Sequence, residues 1–188
     1  TLDAFERALA AQDSATAALT GWCRQLRIAD PAVITAQRLK AEMAAPGDAM
    51  RSLLAVGPDE PLRYRHVQLR CGDTVLSIAR NWYVPARLTP EMNRQLDGSD
   101  APFGSVTATL RFTRKRLEGQ RGQAEDCPAG TILSHRALLE MPDGRPLSAV
   151  VECYTEANLA GPRSALPART AAPASAAARR PPAARSAS

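Results

Sequence analysis

Residues 62–85 read LRYRHVQLRCGDTVLSIARNWYVP, and the fold class turns on how this stretch divides. Gly72-Asp73 is a tight-turn signal between two segments with strand character. In Leu62–Cys71 one face carries Arg63, Arg65, Val67, Leu69 and Cys71; the other carries Leu62, Tyr64, His66, Gln68 and Arg70. Side chains alternate between faces along a strand, so the Val67/Leu69/Cys71 cluster marks the first face as the buried one. Arg65 then points to the core side and His66 to the more polar side. The return segment, Thr74–Val84, is apolar on both faces and reads as a central, covered strand. Residues 131–155 repeat the plan around Pro142-Asp143-Gly144. Two hairpins of this kind predict one mainly antiparallel sheet.

Helical spacing appears upstream. Leu2, Phe5 and Leu9 fall on one face of a segment ending near Gln12. Ser14 is placed as the N-cap of a second helix, whose Leu19, Trp22, Cys23 and Leu26 follow the i, i+3, i+4, i+7 rule. Val33–Leu39 reads as a short edge strand, Ala44–Asp48 as a turn and Ala49–Val56 as a short helix. Thr89-Pro90-Glu91 is an N-cap followed by proline at the first helical position, opening a helix to about Leu96. Ala101-Pro102-Phe103-Gly104 is expected to lead into a strand through Leu117, with a loop over 119–130. Hairpins with helices packed on them define an α+β domain over 1–160. The Ala/Pro/Ser/Arg-rich remainder, 161–188, reads as a disordered tail.

Composition narrows the function classes. Of 188 residues, 45% are apolar but only 4% aromatic, which predicts a globular body with a modest core. The formal net charge is +5, yet Arg163, Arg169, Arg179, Arg180 and Arg185 all lie in the tail segment, which has no acid. The body is therefore formally neutral, and the basic balance is not a nucleic-acid signal. No run is long and apolar enough for a transmembrane helix. Cys23, Cys71, Cys127 and Cys153 form no CxxC or Cys/His cluster, which argues against a metal site. Cys71 and Cys153 fall in strands, where a lone cysteine is expected as a small buried hydrophobe; a disulfide is the lesser alternative, on which the spacing decides nothing. The first residue is Thr1 rather than Met, which fits cleavage of a signal peptide and artificial trimming of the chain equally. GxSxG, HExxH, Walker A and GxGxxG signatures are absent. His135 reads as a packed or surface histidine, and Trp82 and Tyr83 as packing residues that face opposite ways.

What remains is a pair of ionisable residues in apolar company. Arg65 has Val67 and Leu69 on its own face, and Glu152 lies among Val150, Val151, Cys153 and Tyr154. A buried guanidinium must be paired, by a protein acid or by an anionic ligand. The bland reading is that Arg65 and Glu152, or other charges, pair as a structural ion pair.

Four segments, in this order and rough spacing, resemble the chorismate pyruvate-lyase family: LRCGDTVLSIARNWYVP, the helix after Pro85, Ala101-Pro102-Phe103-Gly104, and DGRPLSAVVECYTEANL from Asp143. The resemblance covers Leu62–Leu159. Its fold is shared with effector-binding domains of bacterial transcription regulators. It implies a single antiparallel sheet over a small enclosed cavity, a small aromatic carboxylate ligand, no cofactor or metal, a monomer, and a cytoplasmic setting. A removed signal peptide would instead imply a periplasmic or secreted protein. The family eliminates pyruvate from chorismate to leave 4-hydroxybenzoate. By position the resemblance places Arg65 and Glu152 in the catalytic roles, with His66, Phe103 and Gly104 as substrate-binding residues. His66 takes the place of the arginine if the hairpin is counted without an extra residue. The alternative function is a non-catalytic small-molecule binding domain on the same fold.

Overall fold

The computed structural model describes residues 1–40 and 46–160. A six-stranded sheet runs in the order β1-β2-β3-β6-β5-β4, and every neighbouring pair is antiparallel. The strands are β1 (Ile34–Arg38), β2 (Arg63–Cys71), β3 (Thr74–Tyr83), β4 (Thr113–Arg121), β5 (Thr131–Glu140) and β6 (Pro146–Thr155). The helices are α1 (Leu2–Ala10), α2 (Ala15–Gln25), α3 (Asp48–Leu53), α4 (Pro90–Gly98) and α5 (Phe103–Val106). The α+β architecture expected from the two hairpins is the one observed.

Local chemistry sets most of these boundaries. Gly72 closes the β2–β3 turn at φ +54°, a conformation that side chains rarely adopt. Ser14 caps α2 by accepting from the Ala17 N–H, and Thr89 caps α4 by accepting from the Met92 N–H with Pro90 at the first position. The two hairpins join through β3 and β6, which makes β3 central as its two-sided apolar pattern requires.

One face of the sheet carries the helices. Phe5 of α1 and Leu19 and Trp22 of α2 pack on Val67, Leu69, Leu133 and Tyr154. At the other end, Leu96 of α4 and Phe103 of α5 pack with Tyr83, Phe112, Leu139 and Leu147. The opposite face is covered by Leu54 and the α3 side chains over Val84, Leu138 and Ala149, with Trp82 at its edge. Trp82 and Tyr83 thus serve as packing residues on opposite faces. On the helical face, Arg65, Asn81 and Val150 line up across β2, β3 and β6. The next row holds Val67, Ala79, Glu152 and His135.

Two expectations need correction. Phe103 does not lead straight into a strand: α5 and a 3₁₀ turn over Ala108–Leu110 intervene, and left-handed Arg111 (φ 52°) redirects the chain before β4. β4 then runs to Arg121, beyond the boundary read at Leu117. Nearly all of its residues are exposed or half-buried, so hydrophobic alternation gives no signal. Its charges blunt an edge that would otherwise invite strand addition. The other edge, β1, is covered by the Ala36 N–H donating to the Asp100 carbonyl at 2.7 Å. The first part of the 44–48 turn and the 161–188 segment lie outside the described residues. Among the described residues, no helix is long and apolar enough to cross a membrane.

The cysteines are the second correction. They are not lone hydrophobes: Cys23 of α2 bonds to Cys71 at the end of β2, and Cys127 bonds to Cys153 of β6, with Cα–Cα distances of 6.3 and 5.6 Å. Each bond joins elements that only the fold brings together, across 48 and 26 residues of sequence, so spacing alone carries no signal. No cysteine is left free. The denatured, unreduced protein should therefore show no thiol to a thiol reagent. C127S/C153S should lower unfolding stability in urea by about 2–4 kcal/mol, the usual range for one native disulfide.

Candidate ligand-binding site

Between the two apolar clusters the sheet and helices enclose a cavity of about 60 Å³. Its floor is apolar, from Val67, Leu69, Ala79 and Val150, and four polar side chains enter it: Arg65, Asn81, Arg114 and Glu152. The start of α2 (Ser14–Thr16) and the start of α5 (Phe103-Gly104) form the roof. A Cβ on Gly104 would stand 2.4 Å from Ser14 Oγ and 3.0 Å from Thr16 Oγ1, so the two helix starts approach as closely as glycine permits.

Arg65 is 4% exposed. Its Nη2 donates to the Ala101 carbonyl at 3.1 Å, and its Nε has no partner. Burial is the main cause that pulls the guanidinium below its ordinary proton affinity, and the like charge of Arg38 adds to it. Asp100 and, less strongly, Asp97 act on it through charge alone, without a hydrogen bond, and Asp97 is engaged by Arg63 at the surface. Arg65 is thus a desolvated cation whose one protein acceptor is a carbonyl.

Glu152, 5% exposed, is in the opposite situation. Arg114 of β4 pairs with its Oε2, and the Tyr154 hydroxyl donates to the same oxygen at 2.9 Å. Burial is the largest single influence and pulls the Arg114 guanidinium down, but the Glu152 charge, Tyr154 and the Glu152 hydrogen bond together outweigh it and the net shift is upward. Burial, then the Glu152 charge, pushes the Tyr154 phenol well above its usual range. His135, 2% exposed, has Nδ1 at 3.2 Å from Arg114 Nη2. A guanidinium only donates, so Nδ1 accepts and the ring proton sits on Nε2, which has no partner. Burial first, and Arg114 second, hold the imidazole down at about 4.

Arg65, Glu152, Phe103 and Gly104, read from the sequence, all line this cavity. Arg65 and Glu152 do not pair: the partner of Glu152 is Arg114. His66 lies half-buried on the other face of β2, with its ring 6.5 Å from that of Tyr64, and is not among the cavity residues. Sequence reading missed Arg114, Asn81 and the α2 start. Nothing in the run Thr113–Arg116 distinguishes Arg114 from Lys115 or Arg116. Its pairing opposite Leu139 turns it inward.

A single six-stranded antiparallel sheet with helices packed on it is the α+β arrangement of the chorismate lyase-like fold. The chain belongs to the same family as the uncharacterized protein y4mC of Sinorhizobium fredii, with which it is 44% identical over 161 residues, spanning 76% of this chain and 68% of that one. No profile of a known protein family matches it. Among solved structures it is similar to the effector domain of PhnF from Mycobacterium smegmatis, with a TM-score of 0.55 and 10% identity, covering 76% of this chain and 88% of that one. It is also similar to YydK of Bacillus subtilis, described as a possible transcriptional regulator, with a TM-score of 0.49 and 15% identity. There the match covers 70% of this chain and spans 62% of YydK, under two thirds of its length. At these identities the likeness to PhnF is one of fold.

Removing one partner of a buried ion pair strands the other charge. R114M should lower unfolding stability by about 3–5 kcal/mol, and R114M/E152L should recover much of that loss in urea denaturation. His135 gives a pH test. Its folded value of about 4 lies below the unfolded 6.5, so between these limits the unfolded chain binds the extra proton. Stability from this group is intact above pH 6.5 and falls as pH drops toward 4, by ~3 kcal/mol at about 1.4 kcal/mol per unit. The wild-type stability–pH slope over this range should flatten in H135Q.

Proposed function

We propose that this domain binds a small, flat carboxylate ligand in the Arg65 cavity and does not transform it. The observation that carries the reading is Arg65 itself: a cation 4% exposed, with an unpartnered Nε and no protein carboxylate on it. An anion entering the cavity would supply the missing charge, and a guanidinium binds a carboxylate through two parallel hydrogen bonds. The start of α2, an 11-residue helix, lies on the same cavity and adds the favourable end of its dipole. The apolar floor and Phe103 suit a ring or short hydrocarbon body. The effector domain of PhnF shares this fold, and ligand sensing by the present chain is part of the proposal.

The chorismate-lyase reading keeps one supporting observation, Glu152 on the same cavity as Arg65. One feature weighs against it. Glu152 already accepts from Arg114 and Tyr154 through one oxygen, an arrangement that fixes the carboxylate rather than freeing it for proton transfer.

Titration calorimetry with benzoate and 4-hydroxybenzoate should show saturable binding, weakened at least tenfold in R65A, or about 1.4 kcal/mol. Chorismate incubated with the protein should give no 4-hydroxybenzoate. Product formation that is lost in E152Q would establish the lyase instead. Binding that R65A leaves unchanged would remove Arg65 from the site.

A further inference from the structure

We infer that Asn81 is a specificity-determining residue of this cavity, held by Ser148 so that its amide NH2 joins Arg65 in a seat that accepts a carboxylate and rejects a carboxamide. The inference rests on the ligand reading above and adds what the seat discriminates.

Asn81 lies on β3 directly opposite Arg65 of β2, 5% exposed and on the cavity wall. A polar side chain in such a place is retained only if its hydrogen bonds are met. One end is met from below. Ser148 of β6, fully buried, donates its hydroxyl to Asn81 Oδ1. With the carbonyl end engaged, the amide end is the part of Asn81 left to face the cavity. Beside it, the Arg65 Nε–H has no partner, while Nη2 is engaged by the Ala101 carbonyl.

The two neighbours therefore present donors only. A carboxylate has two oxygens and no hydrogen, so it satisfies both. A primary carboxamide of the same shape sets its own NH2 against Arg65 or Asn81 and leaves buried donors unmet, which a ligand site penalises heavily. Arg65 supplies the charge; Asn81 makes the second position of the seat a donor as well. Glu152 lies one row further along the sheet, tied to Arg114, and does not reach into this distinction.

The test compares 4-hydroxybenzoate with 4-hydroxybenzamide by calorimetry in wild type, N81D and S148A, with melting temperatures recorded beside them. Wild type should prefer the carboxylate at least tenfold. N81D turns the second position into an acceptor: carboxylate binding should fall at least tenfold while carboxamide binding holds or rises, inverting the preference. A merely structural role for Asn81 would weaken both probes alike. S148A releases the amide to rotate and should narrow the carboxylate preference severalfold, with the chain still folded. If wild type and R65A behave as the carboxylate reading requires but N81D keeps the wild-type preference, the Asn81 inference alone is overturned. If wild type binds neither probe, both readings fall.

Discussion

Three ionised side chains, Arg65, Arg114 and Glu152, line one cavity on the helical face of the sheet, and the arithmetic of their pairing governs the site. Arg114 and Glu152 neutralise each other, with Tyr154 donating to the same carboxylate oxygen and His135 accepting from the guanidinium. Arg65 is the remainder. Two cations and one anion cannot all be compensated at once, and desolvation makes the imbalance costly. Had Arg65 reached Glu152, the unpaired cation on the cavity would have been Arg114 of the edge strand instead. Recruiting Arg114 from the edge strand is what leaves Arg65 available.

The remaining features of the site follow from that placement. The sheet register sets Asn81 beside Arg65 and Glu152 one row away, so the polar groups sit at fixed separations on a rigid floor. The roof is built differently, from two helix starts that meet at Gly104. A rigid floor under a roof of two helix starts is the arrangement on which the ligand-binding proposal relies.

Much of this was legible before any coordinates. The alternation in Leu62–Cys71 identifies Arg65 as inward-facing and His66 as outward-facing, because a half-buried strand leaves its pattern in every second residue. The apolar company of Glu152 marks it as buried for the same reason. The two N-caps, Ser14 and Thr89, are local chemistry and are readable as such. Arg114 was not legible, since β4 has exposed neighbours on both faces and its register is dictated by β5. The role of Asn81 is visible only once Ser148 lies beneath it. Neither disulfide was readable, because each joins partners that are brought together by tertiary structure.

The disulfides also make the cavity sensitive to where the chain resides. Cys23–Cys71 fastens α2, whose first turn forms part of the roof, to the strand that carries Arg65. Cys127–Cys153 fastens the segment before β5 to the residue next to Glu152. In an oxidising compartment the first of these bonds ties the roof covalently to the floor, while the second lies on the opposite face of the sheet. In a reducing one the same four residues are thiols, and packing alone holds the roof. A single sequence then has one cavity at two levels of stiffness, set by the redox poise of its surroundings.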